Sequence, residues 1–209
     1  MPAQITTVLF DADGVLQFPG PLHAHFAQRY GWPAEKVDDF FRHVFREQVD
    51  YDDHDILTGA ADLLPALEKA LTAWGWTGPV GAFVRDWLAF GTMPDPGAFA
   101  LVDRLRRAGL VCGLATNQDA LRARYMDRDL GYRERFDHHF YSALMGCAKP
   151  DPVYFHTAVA TLAVPPARVL FIDDKEDNVT AARECGLRAE TLHPGNRLRD
   201  LLAAYDLPV

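Results

Sequence analysis

The stretch Val8-Leu9-Phe10-Asp11-Ala12-Asp13-Gly14-Val15-Leu16 brings an apolar run straight into two carboxylates one residue apart, followed by a glycine. Ile5, Val8, Leu9 and Phe10 read as a buried strand. Alternation around Ala12 predicts that Asp11 and Asp13 point to the same side. Like charges held that close repel, so a cation is expected between or beside them. Gly14 supplies a sharp turn and lets a ligand approach the backbone. The pair can serve as nucleophile, metal ligand or general acid and base, or can simply form an Asp/Gly turn. A calcium loop is disfavoured, because the ligating Glu of that pattern is missing.

Working outward, the next seventy residues read as helices: PLHAHFAQRYGW, AEKVDDFFRHVFREQV, GAADLLPALEKALTAWGW and VGAFVRDWLAF. Phe41, Val44 and Phe45 fall on one helical face, and breaks are expected at Gly31 to Pro33, Asp50 to Asp55 and Gly75 to Gly78. From Pro94 onward strands and helices alternate, with LVCGLAT, FDHHFYSA, RVLFIDD and LRAETL as strands. Helices of this length between strands imply right-handed crossovers and a parallel sheet covered on both faces. The fold expected is therefore α/β, and ligands belong at the carboxyl ends of its strands.

Three further groups fall at such ends or just before a helix. Thr116 and Asn117 follow the strand LVCGLA, where they can donate to an anion or cap the next helix. Lys149 stands between Cys147-Ala148 and Pro150, ahead of a helix expected from Asp151 or Pro152. It can balance several carboxylates and grip a phosphoryl oxygen, or be a solvated loop lysine. Asp173 and Asp174 end the strand VLFIDD, with Asp177 one turn on. A dipole-favoured acidic first turn accounts for Glu176 and partly for Asp177. The adjacent pair calls for a hard cation, for which Mg2+ is the natural candidate. Together these groups supply what phosphoryl transfer needs.

The global numbers narrow the class. A formal net charge of −8 in 209 residues argues against nucleic acid or an anionic membrane as the main partner. The basic clusters Arg104-Arg106-Arg107 and Arg122-Arg124-Arg128 are expected to be solvated helix faces. Cys112, Cys147 and Cys185 are isolated and odd in number, which fits neither a disulfide framework nor a zinc site and suggests a cytoplasmic setting. No signal-peptide pattern or membrane-spanning run is evident.

The motifs FDADGVL, LATN, AKPDPVYF and FIDDKEDNVTAA, in that order, resemble those of the haloacid dehalogenase-like hydrolase superfamily. The resemblance implies a Rossmann-like core over residues 1–16 and 92–209, with an all-helical cap inserted over 17–91. It implies that Asp11 attacks phosphorus and that Asp13 acts as acid and then base. It also implies that Thr116 and Asn117 bind the phosphoryl group and that Lys149 stabilises the nucleophile and the transferring charge. The metal ligands it implies are the Asp11 carboxylate, the Asp13 backbone carbonyl and Asp174, with Asp173 and Asp177 supporting. Candidate cap contacts are Gln17, His23 and His25, with Arg29 and Arg46 further along. Trp32, Trp74, Trp76 and Trp87 are expected to fill the cap core or hinge, and His43, His54, His138, His139 and His156 to pack or lie at the surface.

The activity implied is that of a magnesium-dependent phosphatase on a small phosphorylated metabolite. Alternatives are a phosphomutase, a metal-independent 2-haloacid dehalogenase, which Asp13 and the acidic pair disfavour, and a non-catalytic binding protein. Oligomeric state is left open between monomer and homodimer.

Overall fold

The computed structural model describes residues 4–49 and 54–209. The opening apolar run forms β1 (Thr7–Phe10), buried along its whole length. It lies at the centre of a five-stranded sheet with β4 (Val111–Thr116), β5 (His138–Tyr141), β6 (Val169–Asp173) and β7 (Arg188–Thr191), in the order β5-β4-β1-β6-β7. Every pairing in that sheet is parallel. This is the Rossmann-like α/β arrangement that alternating apolar runs predict.

The strands are covered on both faces, as their continuous apolar runs require. Val8, Phe10, Leu114 and Ile172 pack with apolar residues of α6 (Pro96–Arg107), α7 (Ala120–Asp129) and α12 (Leu198–Ala203). Leu9, Ala115 and Phe171 face the opposite way, onto α10 (Pro152–Leu162) and α11 (Glu176–Glu184). Two short helices that the patterning does not announce, α8 (Tyr132–Arg135) and α9 (Ser142–Met145), flank β5.

Immediately beyond β1 the chain turns. The Ala12 carbonyl accepts from Leu16 and Gln17 N–H groups at 2.8 and 2.9 Å, and Gly14 has φ +79°. The strand thus ends before Asp13, and alternation does not carry through to it. After the turn, β2 (Gln17–Pro19) pairs antiparallel with β3 (Thr92–Pro94). Between these two strands lie α1 (Leu22–Tyr30), α2 (Ala34–Arg42), α3 (His54–Leu57), α4 (Leu63–Trp74) and α5 (Val80–Gly91). They bury their own cluster of Phe26, Phe40, Leu67 and Phe83, against which Trp32, Trp74, Trp76 and Trp87 pack half-buried.

The helix expected over Ala34 to Val49 changes character midway: α2 gives way to a π-helical turn over His43–Gln48, where the Val49 N–H reaches back five residues to the Val44 carbonyl. The expected break at Asp50 to Asp55 falls largely at 50–53, outside the described residues, and His54 already opens α3.

The helical insertion touches the sheet domain at Gly59, which has φ +75° and whose Cα faces the backbone carbonyl of Ala143 so closely that a Cβ would overlap it. An alanine there is strained twice, by its backbone conformation and by the contact. Gly59→Ala is expected to lower stability by about 1–3 kcal/mol. Urea unfolding checks this, and an unchanged midpoint would show that the contact is not maintained.

Candidate active site

The site is built from one row of the sheet. Register places Phe10 between Leu114 and Ile172, so the next row is Asp11, just past β1, with Ala115 of β4 and Asp173 of β6. The Asp11 N–H continues the ladder to the Ile172 carbonyl at 2.8 Å. Lys149 Nζ donates to all three members of this row: Asp11 Oδ1 at 2.9 Å, the Ala115 carbonyl at 2.8 Å and Asp173 Oδ2 at 2.5 Å. Lys149 is only 4% exposed, and its ammonium also lies 5.2 Å from the centre of the Phe171 ring. It is no solvated loop lysine.

The segment carrying Lys149 is pinned from β4. Asn117 Nδ2 donates to the Lys149 carbonyl at 2.8 Å, and the Lys149 N–H donates back to Asn117 Oδ1 at 2.9 Å. Beyond it Asp151 caps α10 through the Val153 N–H and Pro152 opens the helix, as the Asp-Pro signal predicts. Helix capping does not explain Thr116 and Asn117, because α7 is capped by Asp119, which accepts from the Leu121 and Arg122 N–H groups. Thr116 is fully buried at the end of β4.

Asp173 is saturated. Besides Lys149, its carboxylate accepts from Asn178 Nδ2 at 3.0 Å on each oxygen and from the Lys175 N–H at 2.8 Å. It anchors Lys149, while Asp174 beside it is exposed. Carboxylate oxygens of Asp11, Asp173 and Asp174 all lie within 4.8 Å of one another. Gly14 lies against Asp174, where an added Cβ would fall 2.7 Å from Oδ2, so the turn leaves room that any side chain would fill. Three acids against one lysine, all oxygen donors, make a set suited to a hard divalent cation. Asp177 is exposed in the first turn of α11 and lies outside this cluster.

Asp13 has separate partners. Its Oδ1 accepts from Gln17 Nε2 at 2.9 Å and Arg122 Nη2 at 2.8 Å, and its Oδ2 from Gln118 Nε2 at 2.7 Å. The two carboxylates thus do not share one cation: Lys149 serves Asp11 and Arg122 serves Asp13. This corrects the expectation that Arg122 belongs to a solvated face, since its side chain is 13% exposed. Gln17 is fully buried, and its amide is committed to Asp13 and, through Oε1, to the Tyr132 hydroxyl at 2.9 Å. His23, His25 and Arg29 are engaged within the insertion, with Asp38, Phe90 and Asp86 respectively, while Arg46 is exposed on the π-helical turn.

The sequence matches the family model "haloacid dehalogenase-like hydrolase" over residues 5–186. The chain belongs to the haloacid dehalogenase-like hydrolase family. It is 33% identical over 206 residues to a phosphatase of Mycobacterium tuberculosis, covering 94% of this chain and 91% of that protein. It is 29% identical to an N-acetylmuramic acid 6-phosphate phosphatase of Pseudomonas putida, covering 92% and 84%. Among solved structures, a haloacid dehalogenase family enzyme of Bacteroides thetaiotaomicron superposes with a TM-score of 0.76 at 19% identity, over 96% of this chain and 99% of that one. The L-2-haloacid dehalogenase of Xanthobacter autotrophicus superposes with a TM-score of 0.64 at 22% identity, over 96% and 81%. The fold is thus the family's, and the chain is a hydrolase of that family whose extended sequence relatives include named phosphatases.

Within this family member the two aspartates are driven apart electrostatically. Burial pushes the Asp11 carboxyl up to about 7, Lys149 pulls it back, and Asp173 and Asp13 add to the rise. Burial acts on Asp13 too, but the Arg122 charge and the hydrogen bonds from Gln118, Gln17 and Arg122 outweigh it and hold Asp13 below the usual carboxylate range. Burial and the neighbouring Asp173 raise Asp174. Burial disfavours the Lys149 ammonium, yet Asp11 and Asp173 more than restore it and raise it above its ordinary value.

Asp11 titrates near 7 in the fold against 3.8 ordinarily, so between those values the folded chain holds the extra proton and loses stability as pH rises. In chelator-treated protein, the stability of wild type relative to Asp11→Asn is expected to decline from about pH 4 to 7 and level off above. Urea midpoints measured across that range check it. A flat difference would show that ionising Asp11 costs the fold nothing.

Proposed function

We propose that this chain is a magnesium-dependent phosphatase that hydrolyses a small phosphorylated metabolite through a phosphoryl-Asp11 intermediate. The observation that carries the reading is the separation of two carboxylates two residues apart into different environments, one bound to a buried lysine and one to an arginine. A cation bound beside Asp11 would lower its carboxyl, and a phosphoryl dianion beside Asp13 would raise that one, which brings each acid to the form its role requires.

In the first step Asp11 attacks phosphorus, the bond from phosphorus to the leaving oxygen breaks, and Asp13 delivers a proton to that oxygen. In the second, Asp13 takes a proton from water, which attacks the phosphoryl-aspartate and releases inorganic phosphate and the Asp11 carboxylate. The Lys149 ammonium, held in place by Asp173, offsets charge on Asp11 and on the transferring oxygens. The Thr116 hydroxyl and the backbone at Asn117 bind the phosphoryl group, while the Asn117 side chain fixes the Lys149 segment. Asp11, Asp174 and the Asp13 backbone carbonyl would hold Mg2+, with Asp173 in support. When bound, the metal neutralises charge on the phosphoryl oxygens and on Asp11.

Solved neighbours support the metal, since the Bacteroides thetaiotaomicron enzyme was crystallised with magnesium and inorganic phosphate, in a structure with TM-score 0.72 and 21% identity over 94% of this chain and 98% of that one. The names of the sequence relatives support a phosphoester substrate. The insertion between β2 and β3 acts as the cap that selects the leaving group.

Phosphate release from a panel of phosphorylated metabolites tests the reading. Wild type is expected to require Mg2+, to lose turnover with chelator and to regain it on readdition, while Asp11→Asn loses at least about 1,000-fold. Full activity in Asp11→Asn, or metal-free activity confined to 2-haloacids, would overturn it.

A further inference from the structure

The three donors to Asp13, and the Tyr132 hydroxyl that holds one of them, come from four separate parts of the fold. Gln118 lies between β4 and α7, Arg122 in the first turn of α7, Gln17 at the start of β2 and Tyr132 at the start of α8. Gln118, Gln17 and Tyr132 are fully buried, whereas the Asp13 side chain they surround is 43% exposed. A half-exposed aspartate on a turn would ordinarily sample several rotamers. Here both oxygens are fixed from below, Oδ1 by Gln17 and Arg122 and Oδ2 by Gln118. The Tyr132 hydroxyl in turn donates to Gln17 Oε1, so that the Gln17 NH2 faces Asp13.

We propose that Arg122, Gln118 and the Gln17–Tyr132 pair are positioning residues that hold Asp13 in place for proton transfer to the leaving group, with Arg122 dominant. The inference rests on the proposed function, in which Asp13 is the acid and base. A carboxylate clasped by three donors cannot wander, and proton transfer is steeply sensitive to placement. Arg122 dominates because it brings the only formal charge among the four and donates at 2.8 Å through a planar fork. Gln17 and Tyr132 act through their shared hydrogen bond, so removing the Tyr132 hydroxyl loosens one donor and leaves the other two. Among the described residues, the hydrogen bonds to the Asp11 and Asp173 carboxylates and from the Lys149 ammonium involve none of the four, while Gln118 Nε2 also reaches Thr116 Oγ1 at 3.3 Å, so Arg122 and Tyr132 are the cleaner probes. Their loss should therefore weaken leaving-group protonation while sparing the nucleophile.

The reporter is the dependence of kcat/KM on leaving group, measured with Mg2+ on phenyl phosphates para-substituted from nitro to methoxy. Nitrophenolate departs with little protonation, whereas methoxyphenolate needs it. Arg122→Met is expected to lower kcat/KM by about 100-fold for the methoxy ester and by less than about 5-fold for the nitro ester. Tyr132→Phe should shift the series in the same direction by a smaller factor, and Arg122→Lys should recover part of the loss. Asp13→Asn combined with Arg122→Met should be no worse than Asp13→Asn alone.

Equal loss across the series, or an additive double variant, would overturn the positioning role. Should Arg122→Met fail to fold, Tyr132→Phe, which removes a single hydroxyl, carries the same test with the same two outcomes. Absence of turnover by wild type, or turnover by Asp11→Asn, would overturn the proposed function itself and this inference with it.

Discussion

Everything in the sheet domain's site depends on the Lys149 ammonium, which sits in the interior bonded to two carboxylates and a carbonyl at the ends of three adjacent strands. A buried charge is costly unless it is paired and its remaining hydrogen-bonding capacity is used. Three donors meeting three acceptors satisfy that condition. The acceptors lie on one row only because β1, β4 and β6 are parallel and in register. The fold is thus a requirement of the site as well as its support.

The same interaction explains the surrounding arrangement. Asp173 is held by Asn178 and the Lys175 N–H, so that it can hold Lys149, and Asn117 fastens the Lys149 backbone from β4. Neutralising Asp173 and part of Asp11 with one lysine leaves negative charge at Asp11 and Asp174, where the Gly14 turn keeps the space open. Asp13 escapes this cluster because the chain turns at Ala12, and it finds its own cation on α7. Sequence proximity and chemical environment are thereby uncoupled: two aspartates two residues apart sit against different charges and are shifted in opposite directions.

Much of this was legible in the sequence. Apolar runs ending in carboxylates, separated by helical periodicity, specify a parallel α/β sheet because strand and helix periods are local properties. Asp11, Lys149 and the Asp173-Asp174 pair stood out because acids at the ends of apolar strands and a lysine just ahead of Pro150 and Pro152 are locally anomalous. Gln118, Tyr132 and the role of Arg122 were not legible. Their partners lie 105, 115 and 109 residues away along the chain in the hydrogen bonds they or their partner Gln17 make, and a polar residue in a helix looks the same whether it faces solvent or a distant aspartate. Thr116 and Asn117 were ambiguous for a related reason, since a cap two residues later, at Asp119, removes the capping explanation only once the helix start is known. The π-helical turn at His43–Gln48 leaves the apolar spacing of Phe41 and Val44 intact, so periodicity could not reveal it.

The central claim is that Asp11, held against Lys149, carries the phosphoryl group during turnover. The most direct measurement is rapid acid quenching of enzyme with Mg2+ and a phosphoester it hydrolyses, followed by peptide mass mapping. The account predicts a transient gain of one phosphoryl mass on the peptide containing Asp11, formed and lost at rates compatible with turnover and absent from Asp11→Asn. Turnover with no phosphorylated Asp11 peptide at any time, or with the phosphoryl group on another residue, would contradict it.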